Sequence, residues 1–275
     1  MFGVLAVLPW CIQNHIRFRF MYGAQAKNIS LWSKSTYKVW RLDFRCKRRI
    51  KSMKQLNELI NSEKSAWKLV DKWMNEAINE VEILKTSTEN SERVLYDLQV
   101  TTKSALGAIA YHCGGILIQG GWIRILGSGS NNIKRDLSVW NKLKIENENP
   151  RLNGALLVAD DVVGGFFAIN GGLFEGSVGN VFYLAPDTLK WEDLDLKFSE
   201  FIYWTFVGNI DKFYEAFRWI NWKAEVQSVL GDEGFSIYPF LWAEGEDIDK
   251  RSRRVVPIEE LWGLTIENRR KLGIV

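Results

Sequence analysis

The stretch Ala155–Trp191, ALLVADDVVGGFFAINGGLFEGSVGNVFYLAPDTLKW, leaves the chain few ways to fold. Its apolar runs, Ala155–Ala159, Phe166–Ile169 and Val181–Ala185, are each too short for a helix of several turns. Gly164-Gly165, Gly171-Gly172, Gly176 and Gly179 separate them, and Pro186-Asp187 stops the last. Short β-prone runs divided by glycine turns predict an antiparallel meander. Its turn residues are Gly164, Gly165, Asn170, Gly171 and Gly172.

The flanking sequence supplies helices to cover such a sheet. From Met53, Leu56, Leu59 and Ile60 open an apolar stripe, and Ser62 offers an N-cap. Ala66, Val70, Trp73, Met74 and Ala77 then share one helical face. Val81–Leu84 reads as a strand, and Thr86-Ser87-Thr88 as the start of a helix through Val94, Leu95 and Leu98. Ala108–Tyr111, Ile116–Ile118 and Trp122–Leu126 are β-prone, with Gly120-Gly121 placed for a hairpin turn. Asp136–Trp140 reads as a helical turn. Trp191–Leu196 is expected to be extended, and Phe198–Val207 and Ile210–Leu230 helical, divided at Gly208-Asn209. Phe235–Trp242, crossed by Pro239, suits an edge strand. Beyond it the acidic run Glu244–Asp249 meets Lys250, Arg251, Arg253 and Arg254. Pro257 opens a last helix, with Glu259 and Glu260 at its positive end and Arg269, Arg270 and Lys271 at its negative end. The pattern predicts one α+β domain over 53–275, a central, mostly antiparallel sheet flanked by helices.

Charge divides the chain in the same place. Residues 1–52 hold eleven Lys and Arg against Asp43 alone, a net of +10, so the chain's overall +3 leaves −7 on 53–275. An acidic body disfavours nucleic-acid binding, which requires a clustered positive face. The basic leader lacks the order of a secretory signal, because its apolar stretch FGVLAVLPW has no positive residue before it. It reads as an upstream extension, with Met53 as the natural start; a targeting peptide or a nucleic-acid-binding arm is the alternative. Of the three cysteines only Cys113 lies in the body, which fits a reducing, cytoplasmic setting. No apolar run approaches the length of a membrane span.

Catalytic residue types are scarce. His112 is the sole histidine of the body, so any His-dependent mechanism passes through it, and on a strand its neighbour Cys113 would face the other way. One His and one Cys make no zinc site, and no GxGxxG or GxxxxGK[ST] phosphate loop occurs; no metal or cofactor is expected. Carboxylates remain. Asp160-Asp161 directly follows an apolar strand and Asp187 sits in a turn, so these three are the suspects for acid–base work or cation binding, with turn capping as the bland role. Aromatic side chains are in surplus. Trp191, Trp204, Trp219 and Trp222, with Arg218, are the binding candidates, since Trp and Arg dominate protein interfaces. An aromatic groove rimmed by acids favours a basic protein partner or a cationic ligand.

Five blocks carry a resemblance: MKQLNELINSEKSAWKLVDKWMNEA, GAIAYHCGGILIQGGWIRILGSG, LLVADDVVGGFFAINGGLF, VFYLAPDTLKWEDL and FYEAFRWINWKAE. In that order they resemble the bacterial domain-of-unknown-function family 2625, over about Met53 to Pro257, and Met53 aligns with where such proteins begin. The family brings no activity with it. A second likeness is to the SUKH superfamily, in which a helix precedes an antiparallel sheet with an Asn-Gly-Gly turn. Asn170-Gly171-Gly172 matches that turn, and Phe198-Ser199-Glu200-Phe201 the start of a later helix; the hairpin over 114–126 departs from the pattern. That likeness implies an immunity-type protein that neutralises a toxin. Three functions follow as expectations: a non-enzymatic protein-binding module, a hydrolase or carbohydrate-processing enzyme using Asp160, Asp161 or Asp187, and a small-ligand binder with an aromatic pocket.

Overall fold

Seven strands pair in chain order, each antiparallel to the one before. The computed structural model describes residues 53–143 and 150–274, so the leader expected over 1–52 lies outside the described residues. The strands are β1 (Val81–Leu84), β2 (Gly115–Ile118), β3 (Ile123–Leu126), β4 (Ala155–Asp161), β5 (Phe166–Asn170), β6 (Asn180–Leu184) and β7 (Trp191–Lys197). The three runs of the glycine-divided stretch are β4, β5 and β6, at the buried centre of this meander. The α+β class and the antiparallel sheet stand as read.

Helices pack around the sheet. They are α1 (Leu56–Leu59), α2 (Trp67–Glu76), α3 (Thr88–Leu98), α4 (Ala105–His112), α5 (Leu137–Asn141), α6 (Phe198–Val207), α7 (Ile210–Phe213) and α8 (Trp222–Gln227). A separate two-stranded sheet, β8 (Glu233–Tyr238) with β9 (Ser252–Pro257), leads into α9 (Ile258–Lys271). Helices α2, α4 and α6 contact one another, and α6 also packs on β6 and β7. Ser87 caps α3 by accepting from the Asn90 N–H at 3.2 Å, and Asp136 caps α5 through Val139 at 2.8 Å.

Three local expectations are corrected. Ala108–Tyr111 is helical, within α4, so His112 ends a helix instead of lying on a strand. Ser104 sets this start by accepting from the Gly107 N–H at 3.1 Å, and the helix is apolar on nearly every face, so it lacks the stripe that distinguishes a helix. Ile210–Leu230 is two short helices, α7 and α8, joined by a tight turn at Glu215–Phe217 and irregular chain. Tyr214, Phe217, Trp219 and Val226 all need burial, and a straight helix cannot turn all of them inward. Helix α2 starts at Trp67, because Asn61 rather than Ser62 caps the preceding turn, accepting from the Lys64 N–H at 2.7 Å.

Two asparagines hold the central strands where backbone pairing stops. Strand β3 pairs only with the end of β4, from Ala159 onward, so the outer edge of Leu157 has no strand beside it. The buried Asn141 amide replaces that strand, donating to Leu157 O and accepting from Leu157 N, both at 2.8 Å. At the other end of β5, Asn170 accepts from Gly172 N at 2.9 Å and Phe174 N at 3.1 Å, and donates to Phe174 O at 3.0 Å. Gly171 donates to Gly154 O at 2.8 Å, tying this Asn-Gly-Gly turn to the start of β4.

Replacing Asn141 by Leu keeps the volume and strands a buried peptide N–H and C=O. Urea unfolding of this variant should show a loss of about 3 kcal/mol. A loss under about 0.5 kcal/mol would mean that the edge of β4 is satisfied some other way.

Candidate functional site

Asp160 and Asp161 are neighbours on β4 and therefore point to opposite faces of the sheet. Both are completely buried. Asp160 lies opposite Arg124 in the β3–β4 register. Its Oδ1 takes Arg124 Nε at 2.7 Å and its Oδ2 takes Arg135 Nη1 at 2.7 Å. Arg124 also donates to Asp161 O at 2.8 Å and to Glu233 O. Arg135 reaches on to Asp232 Oδ1 at 2.9 Å and Gly231 O at 2.8 Å. Two arginines and two aspartates thus form a charge-balanced network between β3, β4 and the entry to β8. Burial lowers the Arg124 pKa, and the Asp160 charge opposes that shift.

Asp161 faces an aromatic layer. Its Oδ1 accepts the N–H groups of Val163 at 3.0 Å and Gly165 at 2.7 Å, and its Oδ2 accepts Tyr183 Oη at 2.7 Å and Tyr214 Oη at 3.1 Å. Burial raises its pKa despite these four donors, and burial together with Asp161 raises both tyrosines well above their usual value. Gly164 adopts φ +89°, and a Cβ on Gly165 would lie 2.2 Å from Asp161 Oδ2, so this turn accepts glycine alone. Capping the turn, the modest role foreseen for Asp161, is one part of what it does here.

Asp187 is different. It lies between β6 and β7, and its Oδ1 is buried with no hydrogen-bond partner among the described residues. Burial pushes its carboxyl up to about 6, and the charges of Glu192 and Asp161 add to that. Asp161 is enclosed, so Asp187 is the one of the three suspects that reaches solvent.

The aromatic candidates divide into three places. Trp219 and Trp222 gather around the wholly buried Trp122, with ring centroids 5.8 and 5.0 Å from it. The Arg218 guanidinium lies 4.0 Å from the Trp222 ring and 4.8 Å from Trp122, and pairs with Asp211 and Gln119. Trp204 packs edge-on to Phe213, and Trp191 lies against Phe174. The cleft lined by Leu241, Leu264 and Asn268 and the depression lined by Ala66, Lys103 and Phe198 include none of these four tryptophans. Sequence reasoning missed Trp122, Arg124 and Arg135, and counted Tyr183 and Tyr214 only among the surplus aromatics, not as partners of Asp161; an arginine inside the apolar strand IRIL was the available signal. It also passed over Ser65, whose Oγ is 3.3 Å from His112 Nε2 while accepting the Trp67 N–H. His112 stacks on Trp67, and burial lowers its pKa. Burial likewise pushes the Cys113 thiol up to about 12, which leaves it inert at neutral pH. Among the described residues no group of three His, Cys, Asp or Glu is placed to hold a metal, and no helix is long and apolar enough to cross a membrane.

The family model for "Protein of unknown function DUF2625" matches residues 56–261. The chain belongs to this family. It is 43% identical over 212 residues to the putative uncharacterized protein YbfG of Escherichia coli strain K12, covering 76% of this chain and 94% of the relative. It is 36% identical over 223 residues to an uncharacterized protein of Haemophilus influenzae, covering 81% of this chain and 98% of the relative. No solved structure matches. The family match spans both halves of the Asp160 network, Arg124 and Arg135 on one side and Asp232 on the other.

Asp187 yields a pH test. Its folded pKa of about 6 lies above the ordinary 3.8, so the folded state binds this proton more tightly. Stability therefore falls as pH rises from about 4 to 6 and stays lower above that. Asp187→Asn should stabilise the domain by about 2 kcal/mol at pH 7.5, and the gain should vanish below about pH 4. Equal effects at both pH values would show that the carboxylate is not under strain.

Proposed function

We propose that this domain is a non-enzymatic, cytoplasmic protein-binding module that takes a basic partner, with toxin neutralisation as its biological form. The observation that carries the reading is the complete enclosure of Asp160 and Asp161. Their carboxylate oxygens are held by arginines, tyrosines and backbone N–H groups, so they serve as joints. The net −7 on 53–275 favours rapid association with a positively charged protein. The Asn170-Gly171-Gly172 turn between β5 and β6 supports the SUKH likeness, and with it the immunity-type role. Trp222, Trp204 and Trp191 are half-buried and Trp219 is core, so on this reading the first three contribute contact area and Trp219 with Arg218 supports them.

Asp187 favours one rival, a hydrolase working through a single raised-pKa carboxyl. On that reading chromogenic ester or glycoside substrates are turned over by the wild-type chain and not by Asp187→Asn. Affinity capture with cross-linking from the native host tests the preferred reading. A basic protein should be retained at low salt and released at roughly 0.5 M, where screening is nearly complete. No partner, or one indifferent to salt, would overturn it.

A further inference from the structure

The acidic run Glu244–Asp249 and the basic residues after it look self-neutralising in sequence. The fold sends the arginines elsewhere. Arg251 turns inward and donates to four main-chain carbonyls: Pro239 at 3.0 Å, Phe240 at 2.6 Å, Ala243 at 3.3 Å and Glu246 at 2.8 Å. Arg253 lies 4.7 Å from the Trp219 ring and pairs with Glu225, and Arg254 pairs with Glu260 at 2.8 Å. Glu244, Glu246 and Asp247 are exposed and make no ion pair among the described residues.

The same loop carries an aromatic ladder. Tyr238 is 67% exposed, its ring 6.0 Å from Phe240 and edge-on to it; Phe240 stacks on Trp242 at 5.4 Å with an interplanar angle of 18°. Behind it a shallow apolar cleft runs between this loop and α9, lined among others by Leu241, Leu264 and Asn268. One arginine thus braces a loop that presents three linked rings beside three unneutralised carboxylates. Rings attract a cation over their faces, carboxylates pair with it, and a braced loop loses little conformational freedom on binding.

We propose that Tyr238–Asp249 is the docking surface for a basic segment of a partner protein, whose Arg or Lys side chains lie on the Tyr238–Phe240–Trp242 rings and pair with Glu244, Glu246 and Asp247. This rests on the protein-binding reading above and names its site. It places the partner's basic side chains on this loop, in addition to the contact area that Trp222, Trp204 and Trp191 offer on that reading.

The probe is a synthetic peptide of alternating glycine and arginine, titrated into the full chain at low salt and followed by the indole NMR signal of Trp242, assigned with Trp242→Phe. Wild type should show a saturable, salt-sensitive shift. The triple variant E244Q/E246Q/D247N should bind about tenfold more weakly, while E63Q/E82Q/E89Q, with the same charge loss at exposed sites elsewhere, should change less than about threefold. Y238A/W242A, read by peptide anisotropy, should also lose about tenfold while unfolding at the same urea concentration as wild type. Equal weakening by both triple variants would overturn the proposal in favour of diffuse attraction to an acidic body. A dimer seen by light scattering and abolished by Tyr238→Ala would overturn it in favour of a second copy of this chain. If the native partner is captured equally by wild type and Y238A/W242A, this surface is wrong and the protein-binding reading stands; if neither captures one, that reading itself fails.

Discussion

A carboxylate held by a different arginine on each oxygen, away from water, is the contact on which this structure turns. Asp160 alone would be costly to bury, and so would Arg124, which is 1% exposed. Together with Arg135 and Asp232 they balance charge, and their remaining donors end on the carbonyls of Asp161, Gly231 and Glu233. The network therefore ties β3 and β4 by directed contacts to the chain that enters β8. Breaking such a pair from one side costs roughly 3–5 kcal/mol, a large part of a domain's net stability.

Asp161 performs the matching task on the other face. Its four donors come from the turn after β4, from β6 and from the start of the irregular chain after α7, so one side chain gathers three parts of the fold. Two adjacent aspartates thus join two layers because a strand turns successive side chains to opposite faces. The functional consequence is that the central sheet offers no open chemistry at this pair. The half-buried Asp187 and the aromatic loop after β8 lie in the periphery instead.

Patterns local in sequence were legible. The three runs between the glycines became β4, β5 and β6, Phe198–Val207 is a helix with those bounds, and Pro257 does precede the last helix. What escaped is what depends on distant partners. The partners of Asp160 sit on β3 and in the loop before α5, and Asp232, which Arg135 also holds, sits before β8, so no spacing announces them. Ala108–Tyr111 looked like a strand because a helix buried on nearly all sides has no stripe, and Ile210–Leu230 looked like one helix because its aromatic positions hid how many directions they had to face. The acidic run and the basic residues at 244–254 adjoin in sequence, and only the fold shows the arginines turned to carbonyls, a ring and other acids.

The central claim is that Arg124 and Asp160 act as one buried unit. A double-mutant cycle with Arg124→Met and Asp160→Asn, measured by urea unfolding at neutral pH, tests it most directly. Each single change should cost about 3 kcal/mol or more, and the double should cost at least about 2 kcal/mol less than their sum. Additive losses, to within about 0.5 kcal/mol, would contradict the account.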